Sequence, residues 1–304
     1  MNTLPDNPRI SIIILTVNQR EQTLRCLEHL RKGHGTPPDF NITVWDNGSQ
    51  DDTAAAIREA DPAATVLISE KNLGVAGGRN AAAKAVIAKD DPDFLLFLDN
   101  DMTVCPGFVG ALAAPFYGEN GAAIGQTQAK LRLSDDPERL NDGGGCHIRF
   151  WLGRTRPVGF GEQDLGQYDK PAPCQACCGG AMMVRTDLFV ELGGFDETFN
   201  PFGPEDLDFS LRLQQRGYEA WYIPEAMAFH DVNHTVGAGF SEDYAALRSR
   251  HWLRLMRRHA SALDWIGFFV IGMPSIALRV LFREGRKQNL GALRGLIRGA
   301  FGRR

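Results

Sequence analysis

The apolar run Phe94-Leu-Leu-Phe-Leu98 ends in Asp99-Asn100-Asp101, so a strand-like segment delivers two carboxylates one residue apart at its exit. Oxygen ligands spaced in this way suit a hard divalent cation, Mg²⁺ or Mn²⁺, with the phosphates of a ligand completing its shell. Acidic triplets are also common in solvated turns, so the pair alone fixes no function. Two further polar segments narrow the choice. Asp46-Asn47-Gly48-Ser49 follows another apolar run and offers hydrogen-bonding groups to a base or ribose. Gly74, Gly77 and Gly78, after Asn72 and beside Arg79 and Asn80, open a helical stretch where backbone can approach a ligand and N–H groups can meet phosphate. Those glycines alone read equally well as an ordinary helix entry. Together the segments describe a nucleotide-diphosphate pocket.

The elements that must position these residues alternate as parallel βαβ units do. Strands are expected at Ile10 to Leu15, Ile42 to Trp45, Thr65 to Ile68 and Phe94 to Leu98, with helices near 20–32, 51–60 and 76–89. In such α/β sheets ligands bind beyond the carboxyl ends of the strands, which points to Thr16 to Gln19, Asp46 to Ser49 and Asp99 to Asp101. Further strands are read at 122–133 and 146–151, with a long loop over 134–173 between better-defined segments. A strand at 178–184 and a short helix from Thr186 follow. Gly203-Pro204 then opens a helix to about Arg216, with Pro204 at the first helical position and Glu205 and Asp206 in its first turn.

Of 304 residues, 43% are hydrophobic and 23% charged, which excludes a disordered or fibrous chain. The net charge of −4 argues against nucleic acid as a partner, but it is unevenly placed. Residues 248–304 hold thirteen Lys/Arg and two acids, Asp264 and Glu284, against 20 basic and 35 acidic residues before them. Within this basic tail, Trp265 to Leu278 is uncharged, interrupted by Pro274, and too short to span a bilayer. Basic residues on both sides, Arg254, Arg257 and Arg258 before it and Arg279, Arg283, Arg286 and Lys287 after it, favour contact with an anionic membrane surface. The competing reading is a helix pair packed on the body of the protein or on a second copy in a homodimer. Six cysteines lack the spacing of a disulfide framework, and no signal peptide is read at the N-terminus, so a cytoplasmic setting is expected. Cys174, Cys177 and Cys178 read as buried or reactive thiols, since a second pair of zinc ligands is absent.

The ordered set of motifs resembles glycosyltransferase family 2, whose GT-A fold is a Rossmann-like, mostly parallel sheet flanked by helices. The matching pieces are Ile13-Ile-Leu-Thr-Val-Asn-Gln-Arg20, Val44-Trp-Asp-Asn-Gly-Ser49, Asn72-Leu-Gly-Val-Ala-Gly-Gly-Arg-Asn80 and Phe97-Leu-Asp-Asn-Asp101. They continue with Gly179-Gly-Ala-Met-Met-Val-Arg185, Gly193-Gly-Phe-Asp196, Glu205-Asp-Leu-Asp-Phe-Ser-Leu-Arg212 and His230, over about 220 residues. The departure is Val17, where the family often carries an aromatic residue before Asn18. The resemblance implies a catalytic domain over 1–240 and a basic helical extension over 241–304.

By the same resemblance, Asp46 binds the nucleoside and Asp99 touches the ribose or a metal-bound water. Asp101 holds Mn²⁺ or Mg²⁺ under the diphosphate, with His230 as a further ligand and His234 as its rival. Thr16, Asn18, Arg20, Asn47, Asn72, Gly77, Gly78, Arg79, Asn80 and Asn100 complete the donor site, while Gly179, Gly180 and Glu205 face the acceptor; Trp151, whose aromatic face suits a sugar or lipid chain, reads either as part of the acceptor wall or as core. Asp206 corresponds to the catalytic base, although a carboxylate at a helix N-terminus is also simply stabilised by the dipole. Asp208, four residues before Arg212, reads as an ion-pair partner. The implied activity is metal-dependent, inverting transfer of a sugar from a nucleotide diphosphate to a glycan or lipid-linked glycan at the inner face of the cell membrane. Similar proteins use UDP- and dTDP-sugars, including rhamnose and galactofuranose donors. A sugar nucleotidyltransferase and a non-catalytic sugar- or nucleotide-binding module are the alternatives.

Overall fold

The computed structural model describes residues 7–32, 39–232, 242–282 and 286–301. They fall into two compact units. The first contains the residues up to Cys146 together with Pro157–Asp231, and the second contains His147–Arg156 with the residues from Val232 onward. The sequence placed a boundary at 240/241, which lies outside the described residues, and kept 147–156 with the first unit. That hairpin joins the second because Phe150 packs on Trp252, their ring centroids 5.6 Å apart.

In the first unit, β1 (Ile10–Thr16), α1 (Arg20–Lys32), β2 (Phe40–Asp46), α2 (Thr53–Ala60), β3 (Thr65–Ile68), α3 (Gly74–Asp90) and β4 (Phe94–Asp99) follow the expected alternation. β1 lies between β2 and β4, and β3 pairs with β2, all in parallel. The two inner strands, β1 and β4, are buried along nearly their whole length and largely apolar because both their faces are covered. Ile12 and Ile14 of β1 pack with Leu27, Leu30 and Ile57 on one side, and Ile13 packs with Ala82, Ala83 and Val86 on the other. This period of two fixes the register, since a one-residue slip would exchange the faces. It sets Thr16 opposite Asp46 and Leu15 opposite Asp99, bringing three polar strand ends to one edge.

Beyond β4 the chain adds β5 (Met102–Val104), α4 (Phe108–Ala113), β6 (Ile124–Leu133), β7 (Leu140–Asp142), β8 (Cys146–Arg149), β9 (Arg154–Pro157) and β10 (Ala172–Cys174). Then come β11 (Ala181–Arg185), α5 (Thr186–Glu191), α6 (Glu205–Gln215) and β12 (Glu219–His230). The sheet order is β10-β12-β6-β11-β4-β1-β2-β3, with β11 antiparallel to both β4 and β6. The N-terminal half is thus parallel and the remainder mixed. β5 pairs antiparallel with the end of β12, setting Met102 opposite His230.

Several elements differ from the sequence expectation. The stretch 134–173 contains β7, β8, β9 and the start of β10 instead of one long loop. It is tied to β6 by Lys130, whose buried Nζ lies 2.6 Å from Asp164 and 2.5 Å from Asp169. Ion pairs across more than thirty residues leave no local periodicity. The strand from Cys146 stops at Arg149, because Phe150–Leu152 form a single 3₁₀ turn closed by Gly153 at φ +66°. Pro204 caps α6 from outside, and the helix starts at Glu205. β12, which the sequence reading missed, contains Pro224, and its pairing with β6 shifts register between Ile223 and Met227. A proline cannot donate to the ladder, so the alternation is interrupted there.

The second unit contains helices Glu242–His259, Ala262–Gly267, Met273–Phe282 and Arg286–Phe301. Ser261 caps the second of these reciprocally with Asp264, as a capping box does. A widened π-type turn, Phe268–Gly272, precedes Pro274, whose ring an unbroken α-helix accommodates only by kinking. Among the described residues no helix is long and apolar enough to cross a membrane.

Candidate active site

At the carboxyl edge of β1, β2 and β4 most of the residues expected to touch a nucleotide also hold one another. Asn100 donates its side-chain amide to Thr16 Oγ1, Gln19 Oε1 and Thr23 Oγ1 at 3.0–3.2 Å. Thr16 and Asn100 are both buried, so they lock the first and fourth strand ends together. The next two loops are clipped by Asn18, whose N–H donates to Ser49 Oγ and whose Oδ1 accepts from Gln50 N–H, at 2.9 and 2.7 Å. Asn18 has φ +52°, a left-handed conformation that asparagine tolerates. Asp46 is buried and accepts the Ser49 N–H, and exposed Arg20 pairs with Asp52 at 2.8 Å. Asn47 accepts from Leu73 N–H and donates to Asn72.

The start of α3 does not present the free donors expected of a phosphate cradle. Gly74 N–H is taken by Asn72 Oδ1, Val75 N–H by the Pro201 carbonyl and Gly77 N–H by Asn200 Oδ1. Gly78 packs against Leu15 and Asn47. Asn80 is likewise engaged, exchanging hydrogen bonds with the Phe195 backbone and donating to Glu197. These glycines serve close packing of helix on sheet.

Arg79, expected in the donor site, is held between three elements. Only 4% exposed, it donates to Asp99 Oδ1 at 2.6 Å, to the Gly179 carbonyl at 3.0 Å and to Glu205 Oε1 at 3.3 Å. One guanidinium therefore bridges β4, the β10–β11 connection and the first turn of α6, and its planar fork of donors is what permits this. Gly179 and Gly180 line the same space. A Cβ on Gly179 would lie 2.6 Å from Arg79 Nη1 and 3.1 Å from Asp206 Cβ. On Gly180 it would lie 2.7 Å from Met102 Cε and 3.2 Å from Asp99 Oδ2.

Asp206 is half-buried, and each of its oxygens accepts one backbone N–H, from Gly179 at 2.8 Å and from Leu207 at 2.7 Å. Burial pushes its carboxyl above the ordinary range, while those N–H groups and Arg79 pull the other way. Glu205 is pushed further, to about 8, by burial and then by the charge of Asp206. Near neutral pH Glu205 therefore keeps its proton beside Asp206, as expected when environments separate two neighbouring carboxyls. Asp208 is fully buried and pairs with Arg212 at 2.7 Å, as its spacing predicted.

This arrangement predicts a pH-dependent stability. Folded Glu205 keeps a proton that the unfolded chain releases near 4.5, so its contribution to stability falls as pH rises from about 4.5 toward about 8. Glu205→Gln should match the wild type in thermal unfolding at pH 5 and exceed it at pH 8, by about 2–4 °C for each kcal/mol gained at this chain length. An offset that does not change with pH would contradict the assignment.

One residue beyond Asn100, Asp101 meets His230 at the end of β12, with Oδ2 3.4 Å from Nε2. His230 Nδ1 lies 3.0 Å from Asn141 Oδ1. Because that amide oxygen can only accept, Nδ1 carries the proton and the Nε2 lone pair faces Asp101 when the ring is neutral. Burial lowers the His230 pKa, but its hydrogen bond to Asp101 and the charges of Asp101, Asp99 and Asp231 raise it on balance. A carboxylate and an oriented imidazole fit a divalent cation that takes its remaining ligands from a diphosphate. No group of three or more such side chains poised for a metal occurs among the described residues. His234 lies outside the described residues.

Trp151, expected at the acceptor wall, belongs to the second unit, where its Cβ lies 2.7 Å from the position a Cβ on Gly267 would take. Cys174 and Cys177 have Sγ atoms 3.8 Å apart, and all six thiols are free. Sequence reasoning missed Asn141 and its neighbour Asp142. Asp142 is buried, accepts N–H bonds from Gly144 and Gly145, and is pushed up to about 6 by burial. The polar run Asn141-Asp142-Gly143-Gly144-Gly145 was the available signal.

A sheet with acidic residues at parallel strand ends, followed by a Glu-Asp helix start, is the GT-A architecture of glycosyltransferases. The sequence profile described as glycosyl transferase family 2 matches residues 11–193, and the chain belongs to that family. It is a glycosyltransferase. A second profile, described as N-terminal domain of galactosyltransferase, matches residues 163–236. The chain is 26% identical over 275 residues to the N-acetylglucosaminyl-diphospho-decaprenol L-rhamnosyltransferase of Mycobacterium tuberculosis, covering 84% of this chain and 89% of that protein. It is also 26% identical over 258 residues to an N-acetylglucosaminyltransferase of Sinorhizobium fredii, covering 80% of this chain and 57% of that one. Among solved structures, a mannosyltransferase from Pyrobaculum calidifontis in complex with GDP-Man and Mn²⁺ shares the fold at a TM-score of 0.64. The identity is 14%, over 98% of this chain and 88% of that chain. GalNAc-T7 with UDP, GalNAc and Mn²⁺ aligns at a TM-score of 0.59 and 18% identity, over 74% and 43%.

Proposed function

We propose that the protein is a metal-dependent, inverting glycosyltransferase that moves a sugar from a UDP- or dTDP-sugar to a hydroxyl of a lipid-linked glycan in cell-surface polysaccharide synthesis. One observation carries this reading. Arg79 ties Asp99, at the donor strand end, directly to the helix turn that holds Asp206, so donor and base share one rigid frame.

Asp206 accepts the proton of the acceptor hydroxyl as its oxygen bonds to the anomeric carbon and the bond to the diphosphate breaks. The two backbone N–H groups fix the direction of its lone pairs, and Glu205 keeps its proton beside it. Asp46 and the clipped loops around Asn18 and Ser49 bind the nucleoside. Asp101 and His230 hold Mn²⁺ or Mg²⁺, which when bound neutralises charge developing on the leaving diphosphate. The name of the mycobacterial relative supports a polyprenyl-diphosphate-linked acceptor. Exposed Leu263, Ile266, Phe269 and Val270 support a location at the cytoplasmic membrane face.

Turnover tests this directly. Release of nucleoside diphosphate is expected with a UDP- or dTDP-sugar, Mn²⁺ and a lipid-linked acceptor. Formation of pyrophosphate in its place would favour the nucleotidyltransferase alternative. Asn141 allows a separate check, because the partner that orients a ligating histidine typically carries ten- to hundredfold in metal affinity. Asn141→Leu should weaken Mn²⁺ binding by that factor in titration calorimetry, and unchanged affinity would remove His230 from the metal site.

A further inference from the structure

The hairpin β8–β9 combines features that neither the donor site nor the acceptor chemistry uses. Its residues His147 to Arg156 contain no acid and three arginines, in a chain whose first 247 residues are strongly acidic. Side chains alternate across a strand, and the exposure follows: His147, Arg149, Arg154 and Arg156 are exposed, whereas Ile148 is buried. Among the described residues the side chains of Arg149, Arg154 and Arg156 enter no ion pair or hydrogen bond. The turn places Trp151, 40% exposed, beside them.

This basic face is built onto an apolar one. Phe150 packs on Trp252, Trp151 backs onto Gly267, and a Cβ on Gly153 would meet the Phe268 ring at 2.6 Å, so the hairpin is fastened to the helices 262–282. Leu263, Ile266 and Val270, each at least 60% exposed, are spaced by three and four residues as one helical stripe is, and Leu278, 55% exposed, adds an apolar side chain on the helix beyond the widened turn. An exposed apolar stripe, an interfacial tryptophan and unpaired arginines in one unit are what an anionic bilayer surface accepts, and water alone does not favour them.

We propose that the β8–β9 hairpin binds anionic phospholipid headgroups through Arg149, Arg154 and Arg156, docking the second unit on the membrane together with the apolar stripe. This rests on the membrane location given above and adds a headgroup-binding element outside the basic tail.

The test is co-sedimentation of the full chain with vesicles of phosphatidylcholine, with and without phosphatidylglycerol. Wild type should bind the phosphatidylglycerol vesicles, more weakly as salt rises. With each basic residue near the surface contributing on the order of 1 kcal/mol, the combined variant Arg149→Gln, Arg154→Gln, Arg156→Gln should bind about a hundredfold more weakly. The corresponding triple Lys variant should bind as wild type, which separates charge from folding. Equal binding by wild type and the Gln variant would overturn the hairpin assignment while leaving the membrane location standing. Failure of wild type to bind either vesicle, or a lipid-free dimer lost in the Gln variant, would overturn both.

Discussion

Asp206→Asn should lower kcat by about a thousandfold or more while leaving nucleotide affinity within a few-fold of wild type. General-base catalysis contributes about 10²–10⁴ in rate, and a thousandfold loss corresponds to about 4 kcal/mol of transition-state stabilisation. The amide is nearly isosteric, so its oxygen can keep one of the N–H bonds from Gly179 and Leu207, and its NH₂ faces the other donor. The resulting mismatch costs about 1–3 kcal/mol. Part of this is offset because the neutral amide no longer places a charge beside Asp99 and the Glu205 carboxyl. Folding should therefore survive. Because burial pushes the Asp206 carboxyl upward, the wild-type kcat/KM should rise with pH on a limb above the usual carboxylate range, and residual activity of the variant should lack that limb. A normal turnover number in Asp206→Asn would remove it from the mechanism.

Asp101→Ala should cost activity on the same scale, by a different route. Losing a metal-held charge on the leaving group corresponds to several kcal/mol, roughly 10²–10³ or more in rate. Donor binding should lose its dependence on Mn²⁺, which no change at Asp206 would produce. The substitution removes the 3.4 Å partner of His230, but a neutral imidazole keeps its contact with Asn141, and the Asp231 N–H still bonds to the backbone carbonyl of residue 101, so the loss of stability should be modest. Asp99 provides the contrast within the same acidic pair. Asp99→Ala leaves buried Arg79 short of its 2.6 Å partner; breaking a fully buried ion pair from one side costs about 3–5 kcal/mol, and with Asp99 37% exposed the cost should fall below that, at about 1–3 kcal/mol. The two acids thus separate in a thermal melt, with Asp99→Ala destabilised more than Asp101→Ala, because Arg79 cannot shed its charge as His230 can. Equal melting temperatures would contradict the roles given to them.

The parallel half of the fold was legible because strand and helix periods there are local, as in Ile12, Ile13 and Ile14 facing alternate sides. Strand ends follow from that pattern, so Asp46, Asp99 and Asp101 could be located from the sequence. The acids beside Arg79 were visible for the same reason, but the role of Arg79 was not. Its partners Asp99 and Glu205 lie 20 and 126 residues away, and no local spacing connects them. Asn141 escaped notice because its contact with His230 spans 89 residues and depends on β7 lying beside β6. Motif resemblance pointed to Asn80 and Gly77 as nucleotide contacts, and the protein hydrogen bonds these residues also make, to Phe195 and Asn200, lie more than a hundred residues away and left no local signal. Residues that build a pocket and residues that touch its ligand leave the same trace in a motif.

The central claim is that this edge of the sheet binds a nucleotide-diphosphate sugar through a metal held by Asp101. A ligand that binds only the folded state raises apparent stability by mass action. Thermal unfolding of wild type and Asp101→Ala, each with UDP- and dTDP-sugars in the presence and absence of Mn²⁺, measures this without requiring the acceptor. Wild type should shift with one nucleotide class only when Mn²⁺ is present, and Asp101→Ala should show no such shift. Equal shifts with and without Mn²⁺ in both proteins would contradict the claim.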